Sequence, residues 1–203
     1  MSVLLAISTG LIVLPQLSEA DSHNWLTDYP TRAIREGKSA ASIVQLAIDS
    51  SGQAYLCDVL GVVGDEDLGQ RPCTTFNQLR FSPAIAPDGK AVFSVWKTLV
   101  RYTLHDTRQA REVLAVEQGA DMVFTVAQLP DEGEFLDLKV NIHVLNDGEM
   151  ARCEGDAEAA PAYAQVACDA LMQDKWSVLP DREGETAEYV TSLKVRFVTE
   201  TAS

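Results

Sequence analysis

The residues with the most chemical potential in this 203-residue chain are its four cysteines, Cys57, Cys73, Cys153 and Cys168. A zinc site would want Cys-x2-Cys or a histidine at short spacing, and neither is present. A thioredoxin-type redox centre would want Cys-x-x-Cys, which is also missing. An even number of cysteines behind an apolar N-terminal run favours disulfides, with free buried thiols as the alternative.

Other reactive groups are sparse. His23, His105 and His143 are the only histidines. His23 follows the apolar N-terminal segment, His105 ends a strand-like run, and His143 is expected opposite the apolar side of its strand. The sequence contains no G-x-S-x-G, H-E-x-x-H, Walker or dinucleotide-glycine pattern. Acidic groups cluster at Asp65-Glu66-Asp67, at Asp131, Glu132 and Glu134, and at Glu183 and Glu185. Two such carboxylates 5 to 9.5 Å apart across a cleft would suit a glycoside hydrolase, roughly the span that mechanism needs. In an acidic protein rich in turns they are expected to be loop charge. No catalytic, cofactor-binding or metal-binding residue is therefore expected, no cofactor is implied, and the chain is not expected to be an enzyme.

The net charge is −14, which argues against nucleic acid and anionic lipid surfaces as partners. The charge is unevenly spread. Residues 24–105 carry 8 basic and 8 acidic residues, whereas 106–203 carry 8 and 20. The simplest reading of the acidic half is a solvated surface that keeps the protein soluble, and the alternative is an acidic docking face. At the N-terminus, Val3–Leu14 is apolar except for Ser8, Thr9 and Gly10, and Ser18 and Ala20 follow. The run is too short to span a bilayer comfortably and suits the apolar core of an export signal ending after Ala20. A buried hydrophobic segment and a membrane anchor are the alternatives. Residues 1–20 are thus expected to be a signal peptide, and the protein periplasmic or secreted, with no stable membrane span.

The elements that must position the cysteines repeat along the chain. Gly52 and Gly148 close similar turns, Ser50-Ser51-Gly52 and Asn146-Asp147-Gly148, and Cys57 and Cys153 each follow five residues later. Cys73 matches Cys168, Leu79-Arg80-Phe81 matches Asp174-Lys175-Trp176, and Gly89 matches Gly184. Val95, Val100 and Tyr102 match Val190, Val195 and Phe197. The offset is 96 before the second cysteine of each pair and 95 from it onward. Such a register points to duplication. It selects one of three connectivities, Cys57–Cys73 and Cys153–Cys168, each joining a second strand to the following helix. Closing a loop of about 15 residues stabilises by roughly 3 kcal/mol in the chain-entropy model.

Alternation predicts strands over Ser42–Ile48, Gln53–Leu60 and Ala91–Leu104, then Leu136–Leu145, Glu149–Cys153 and Thr186–Thr199. Ile43, Leu46 and Ile48 carry the apolar side of the first strand, with Val44 out of phase. Leu138, Val140, Ile142 and Val144 share one face of the fourth. Helices are expected over Thr31–Lys38, Pro72–Leu79 and Ala159–Gln173, with another strand at Met122–Gln128. The fold class is α+β: two tandem small modules, each a short antiparallel sheet packed with one or two helices. The boundaries are 24–105 and 121–203, with 106–120 as linker.

The first module resembles the periplasmic C-terminal domain of TonB-type energy transducers. Tyr29-Pro30 opens the likeness, followed by Ala33 and Gly37. It continues through Gly52, the segment Leu79-Arg80-Phe81-Ser82-Pro83-Ala84, Asp88-Gly89-Lys90 and the final strand to Tyr102. The second module keeps the order but has Trp176-Ser177-Val178 where Pro-Ala should stand. The resemblance implies a non-catalytic binding module that adds an extended peptide to a sheet edge, such as a segment of an outer-membrane transporter. Phe93, Val95, Lys97 and Leu99 are the candidate edge residues. Family members carry a Pro-rich spacer, but the 8 prolines here form no rigid run, so energy coupling is not expected. The expected function is a periplasmic binding or adaptor protein linked to transmembrane transport. The alternatives are a cell-envelope hydrolase using paired carboxylates and a purely structural envelope protein.

Overall fold

The computed structural model describes residues 10–18, 21, 29–104, 107–130, 133–155 and 160–200. In chain order the elements are β1 (Gln16–Leu17), α1 (Thr31–Arg35), β2 (Ala40–Ile48), β3 (Ala54–Gly64), α2 (Glu66–Gly69), α3 (Arg71–Phe76), β4 (Phe81–Ser82), β5 (Ala84–Ile85) and β6 (Ala91–Tyr102). They continue with α4 (Arg108–Leu114), β7 (Met122–Val126), β8 (Phe135–Val144), β9 (Met150–Gly155), α5 (Pro161–Leu171), β10 (Leu179–Pro180), β11 (Thr186–Ala187) and β12 (Tyr189–Thr199). The content is α+β, as the sequence predicts.

The chain divides into two compact units. One comprises residues 15–83 and 94–119; the other comprises the described residues of 1–14, 84–93 and 120–203. The short segment 84–93, with the β5 hairpin, is thus counted apart from the rest of the first module.

In the first unit β2 is bonded antiparallel to β3 on one side and to β6 on the other. Val44, Leu46 and Ile48 are buried with Phe76, Phe81 and Val100 in one apolar cluster. Trp96 meets Phe76 and Phe81 edge-on, with ring centroids 5.6 and 5.4 Å apart, a geometry that adds to the gain from area burial alone. This face differs from the one expected. Val44, not Ile43, lies in phase with Leu46 and Ile48, because side chains two apart share a face. The pairing of β2 with β3 also slips between Ile43 and Val44, a bulge that the alternation pattern does not announce.

The helices of this unit are short and built from local signals. Asp65 caps α2 by accepting the Leu68 N–H at 3.0 Å. Pro72 occupies the first turn of α3, where its missing N–H costs nothing. The stretch 106–120, expected as a linker, carries α4, which packs on β2 and β3. Thr107 caps α4 by accepting the Ala110 N–H, and Ala110 and Val113 are buried.

In the other unit β12 is bonded antiparallel to β8, β8 to β9, and β7 adds to β12 in parallel. The parallel strand departs from the purely antiparallel sheet expected. Val140, Ile142 and Val144 form the buried face of β8, as the alternation predicts, and α5 packs on β8 and β9. Phe197 is buried between Phe124, stacked at 5.4 Å, and Tyr163, edge-on at 5.2 Å.

The internal pairings of the two sequence repeats correspond. Leu46 opposes Cys57 and Trp96, and Ile142 opposes Cys153 and Thr191. Ala84 opposes Val92, and Leu179 opposes Ala187. These pairs differ by the same 96 and 95 positions read from the sequence.

Candidate functional site

Both disulfides form with the expected connectivity. Cys57 on β3 joins Cys73 on α3, and Cys153 on β9 joins Cys168 on α5, each with Cα atoms 5.5 Å apart. No cysteine is left free. The bridges therefore pin a strand to a helix, and in the first unit they hold the outer strand β3 against the body.

The candidate edge residues Phe93, Val95, Lys97 and Leu99 alternate along β6 and share its half-buried side, opposite Trp96 and Val100. Phe93 precedes the paired stretch and is counted with the other unit. The other three line up with residues of β2 and β3 on the face away from the core. Val95 and Leu56 both oppose Ala47, and Lys97 and Asp58 both oppose Gln45. Leu99 and Gly61 both oppose Ile43, beside the bulged Leu60. The face is therefore two apolar rows flanking one polar row. Its β3 margin is open: Leu56 and Leu60 are 45% and 52% exposed.

At one end of this unit a cavity of 170 Å³ is lined by Pro30, Ala33, Glu36, Lys38, Asp65 and Leu68. Lys38 reaches Asp65 at 2.9 Å and Glu36 at 3.2 Å. The hydrogen bond from Lys38, then the one from the Leu68 N–H, holds the Asp65 carboxyl below its ordinary range. Asp65 is thus occupied by capping and ion pairing rather than available as an acid or base.

The remaining reactive groups are dispersed. His23, His105, Asp131, Glu132 and the proposed cleavage point after Ala20 lie outside the described residues. His143 faces away from Ile142 and Val144 as expected, yet it is buried, with Nε2 3.4 Å from a Glu188 carboxylate oxygen and not in hydrogen-bonding geometry. Glu183 and Glu185 donate their backbone N–H groups to Asp181, each at 2.9 Å, so this cluster builds a turn. Among the described residues no group of three or more His, Cys, Asp or Glu is placed to hold a metal ion, and no helix is long and apolar enough to cross a membrane.

Two arrangements escaped the sequence reading. Asp137 on β8 takes a two-pronged hydrogen bond from Arg196, at 2.6 and 2.8 Å, and an ion pair from Lys194 at 2.8 Å. Asp21, far from Arg80 in sequence, accepts its backbone N–H at 2.9 Å. Nothing local to either aspartate predicts its partner, because the contacts to Arg196 and Arg80 each span 59 residues of chain.

The fold and this face define a small α+β module with a strand-paired sheet and no assembled catalytic group among the described residues. Residues 27–104 match the family model described as the Gram-negative bacterial TonB protein C-terminal. The match covers the first module and includes Tyr29-Pro30, Gly52, the Phe81-Ser82-Pro83-Ala84 segment and β6. No curated protein and no solved structure matches the chain.

Proposed function

We propose that this is a non-catalytic periplasmic binding or adaptor protein, exported behind residues 1–20 and built from two tandem TonB C-terminal-like modules. Its first module takes an extended peptide or partner strand by sheet-edge addition, and the partner is an envelope protein, with an outer-membrane transporter segment as the leading candidate. The observation that carries this reading is the family match over residues 27–104, in a sheet whose eleven-residue strand β3 is bonded, among the described residues, along one side only. An unpaired strand margin offers a row of N–H and C=O groups that an incoming strand satisfies. Val95, Lys97 and Leu99, with Leu56 and Leu60, supply side-chain contacts on the adjoining face, and Phe93 extends that row along β6.

Duplication is supported by the matching pairings of the two units and by the two equivalent disulfides. Linking two modules raises the effective concentration of the second binding event, even though the acidic second module has lost the Pro-Ala segment. The test is a titration of isotope-labelled full-length protein with extended peptides from envelope transporters. Amide shifts are expected along β3 and at Val95, Lys97 and Leu99. Leu60→Asp and Lys97→Glu should each weaken binding about tenfold, equivalent to about 1.4 kcal/mol. A spectrum silent to every such peptide overturns the reading.

A further inference from the structure

The short strand β4 lies in the segment that carries the family likeness, and it is bonded on both of its margins. On one side the Phe81 N–H donates to the Gly52 carbonyl at 2.9 Å, and Arg80 bridges Gln53. On the other side sits a stretch more than fifty residues earlier in the chain. Gln16 and Leu17 pair antiparallel with Ser82 and Phe81. The Ser18 N–H donates to the Arg80 carbonyl at 3.0 Å, and the Gln16 N–H donates to the Ser82 hydroxyl at 3.1 Å. The Ser82 hydroxyl in turn points back to the Gln16 carbonyl at 3.4 Å.

The grip ends in a cap. The carboxylate of Asp21 accepts the Arg80 N–H at 2.9 Å and the Ser18 hydroxyl at 2.8 Å. Asp21 also donates its own N–H to the Ser18 carbonyl and hydroxyl oxygens. The Arg80 N–H, then the Ser18 hydroxyl, holds the Asp21 carboxyl below its ordinary range. Leu17 packs its side chain on the apolar cluster that contains Phe76 and Phe81. A backbone strand, one apolar anchor and one acidic cap four residues later are the parts of a strand-addition complex, here with donor and acceptor in one chain.

We propose that Arg80–Ser82 is a strand-accepting site and that Gln16–Ser18 together with Asp21 is its built-in occupant, a self-ligand that an incoming peptide must displace. The peptide it selects is extended, with an apolar side chain at the Leu17 position and a carboxylate at the Asp21 position. A cut after Ala20 separates Gln16–Ser18 from Asp21, so removal of the leader would open the site. Local concentration keeps the intramolecular strand ahead of a free competitor until then. The site is separate from the β3 margin and from the β6 face, so it stands or falls independently of peptide binding there.

The test uses the full chain with a protease recognition sequence in place of residues 22–28, folded, oxidised and then cut. The probe is a fluorescent synthetic peptide of residues 10–21. The cut protein should bind one probe per chain, and the uncut protein should bind it at least tenfold more weakly. Probe carrying Leu17→Asp should lose at least tenfold in affinity. In the uncut chain, Leu17→Asp should speed hydrogen exchange of the Arg80 amide at least tenfold while β2 amides keep their protection. Equal binding to cut and uncut protein, no binding to a cut protein that keeps its circular dichroism, or unfolding on cutting would each overturn the proposal. An Arg80 amide indifferent to Leu17→Asp would do the same.

Discussion

The Phe81 N–H donates to the Gly52 carbonyl at 2.9 Å, and the Trp176 N–H donates to the Gly148 carbonyl at the same distance. Each aromatic segment is thereby tied to the turn between two strands. The turns need glycine for two reasons. Gly52 and Gly148 have φ of 84° and 85°, and a Cβ there would stand 2.0 Å from the Phe81 oxygen and 2.5 Å from the Trp176 oxygen. Backbone of this hand is costly for any residue with a side chain.

Gly52→Ala and Gly148→Ala should therefore each destabilise the protein by roughly 2–4 kcal/mol, combining backbone strain with a clash against rigid main chain. Gly89 is the control: its φ is 86°, but nothing lies within 4 Å of the added Cβ. Gly89→Ala should cost only about 1–2 kcal/mol. Urea denaturation of the three variants checks the order.

Removing a disulfide should be costly and local. Cys57→Ala with Cys73→Ala, and the matching pair of changes at Cys153 and Cys168, should each cost about 3 kcal/mol in the chain-entropy model. Mass measurement before and after reduction should show a gain of four hydrogens in the wild-type chain. A gain of fewer, or mixed pairings by peptide mapping, would contradict the assigned bridges.

Asp137 makes stability depend on acid. Its carboxyl is held at about 2, below the ordinary 3.8, chiefly by the hydrogen bonds from Arg196 and then by Lys194. The folded value is depressed, so the contribution is fully present above 3.8 and is lost as pH falls through about 2. It amounts to about 2 kcal/mol at neutral pH, an upper figure because solvent reaches part of the site. Asp137→Asn should remove most of it at pH 7 and little at pH 2, which paired denaturation curves would reveal.

The two sides of β2 should respond differently. Val44→Ala should cost about 2 kcal/mol, because Val44 is fully buried in the cluster with Phe76. Ile43→Thr should cost less than about 1 kcal/mol, in line with substitutions outside a packed core. If β2 faces as described, Ile43→Thr should instead weaken peptide binding beside Leu99, read by the same titration as for Lys97→Glu.

Much of the local structure is legible in the residues themselves. Turn chemistry at Gly52 and Gly148, the Pro72 helix start and the clean alternation of Leu138 to Val144 act over a few residues, so composition and spacing reveal them. The cysteine connectivity was legible because the repeat register supplied long-range information that a single module lacks. Tertiary structure decided what depends on distant partners. Val44 rather than Ile43 faces the core because β2 runs unbroken against β6, which puts Val44 in phase with Leu46 and Ile48. Within the expected linker, Arg108–Leu114 form a packed helix because Val113 finds apolar cover against β2 and β3. Ile12 and Leu17, read as part of a leader, are apolar residues with burial sites in the body, Ile12 against Ala84 and Val92, Leu17 in the cluster with Phe81. Asp21 and Asp137 acquire their partners only when strands far apart in sequence pair. Short-range preferences are written residue by residue, but which strand margin meets which segment is settled by the burial and hydrogen bonding of the folded chain as a whole.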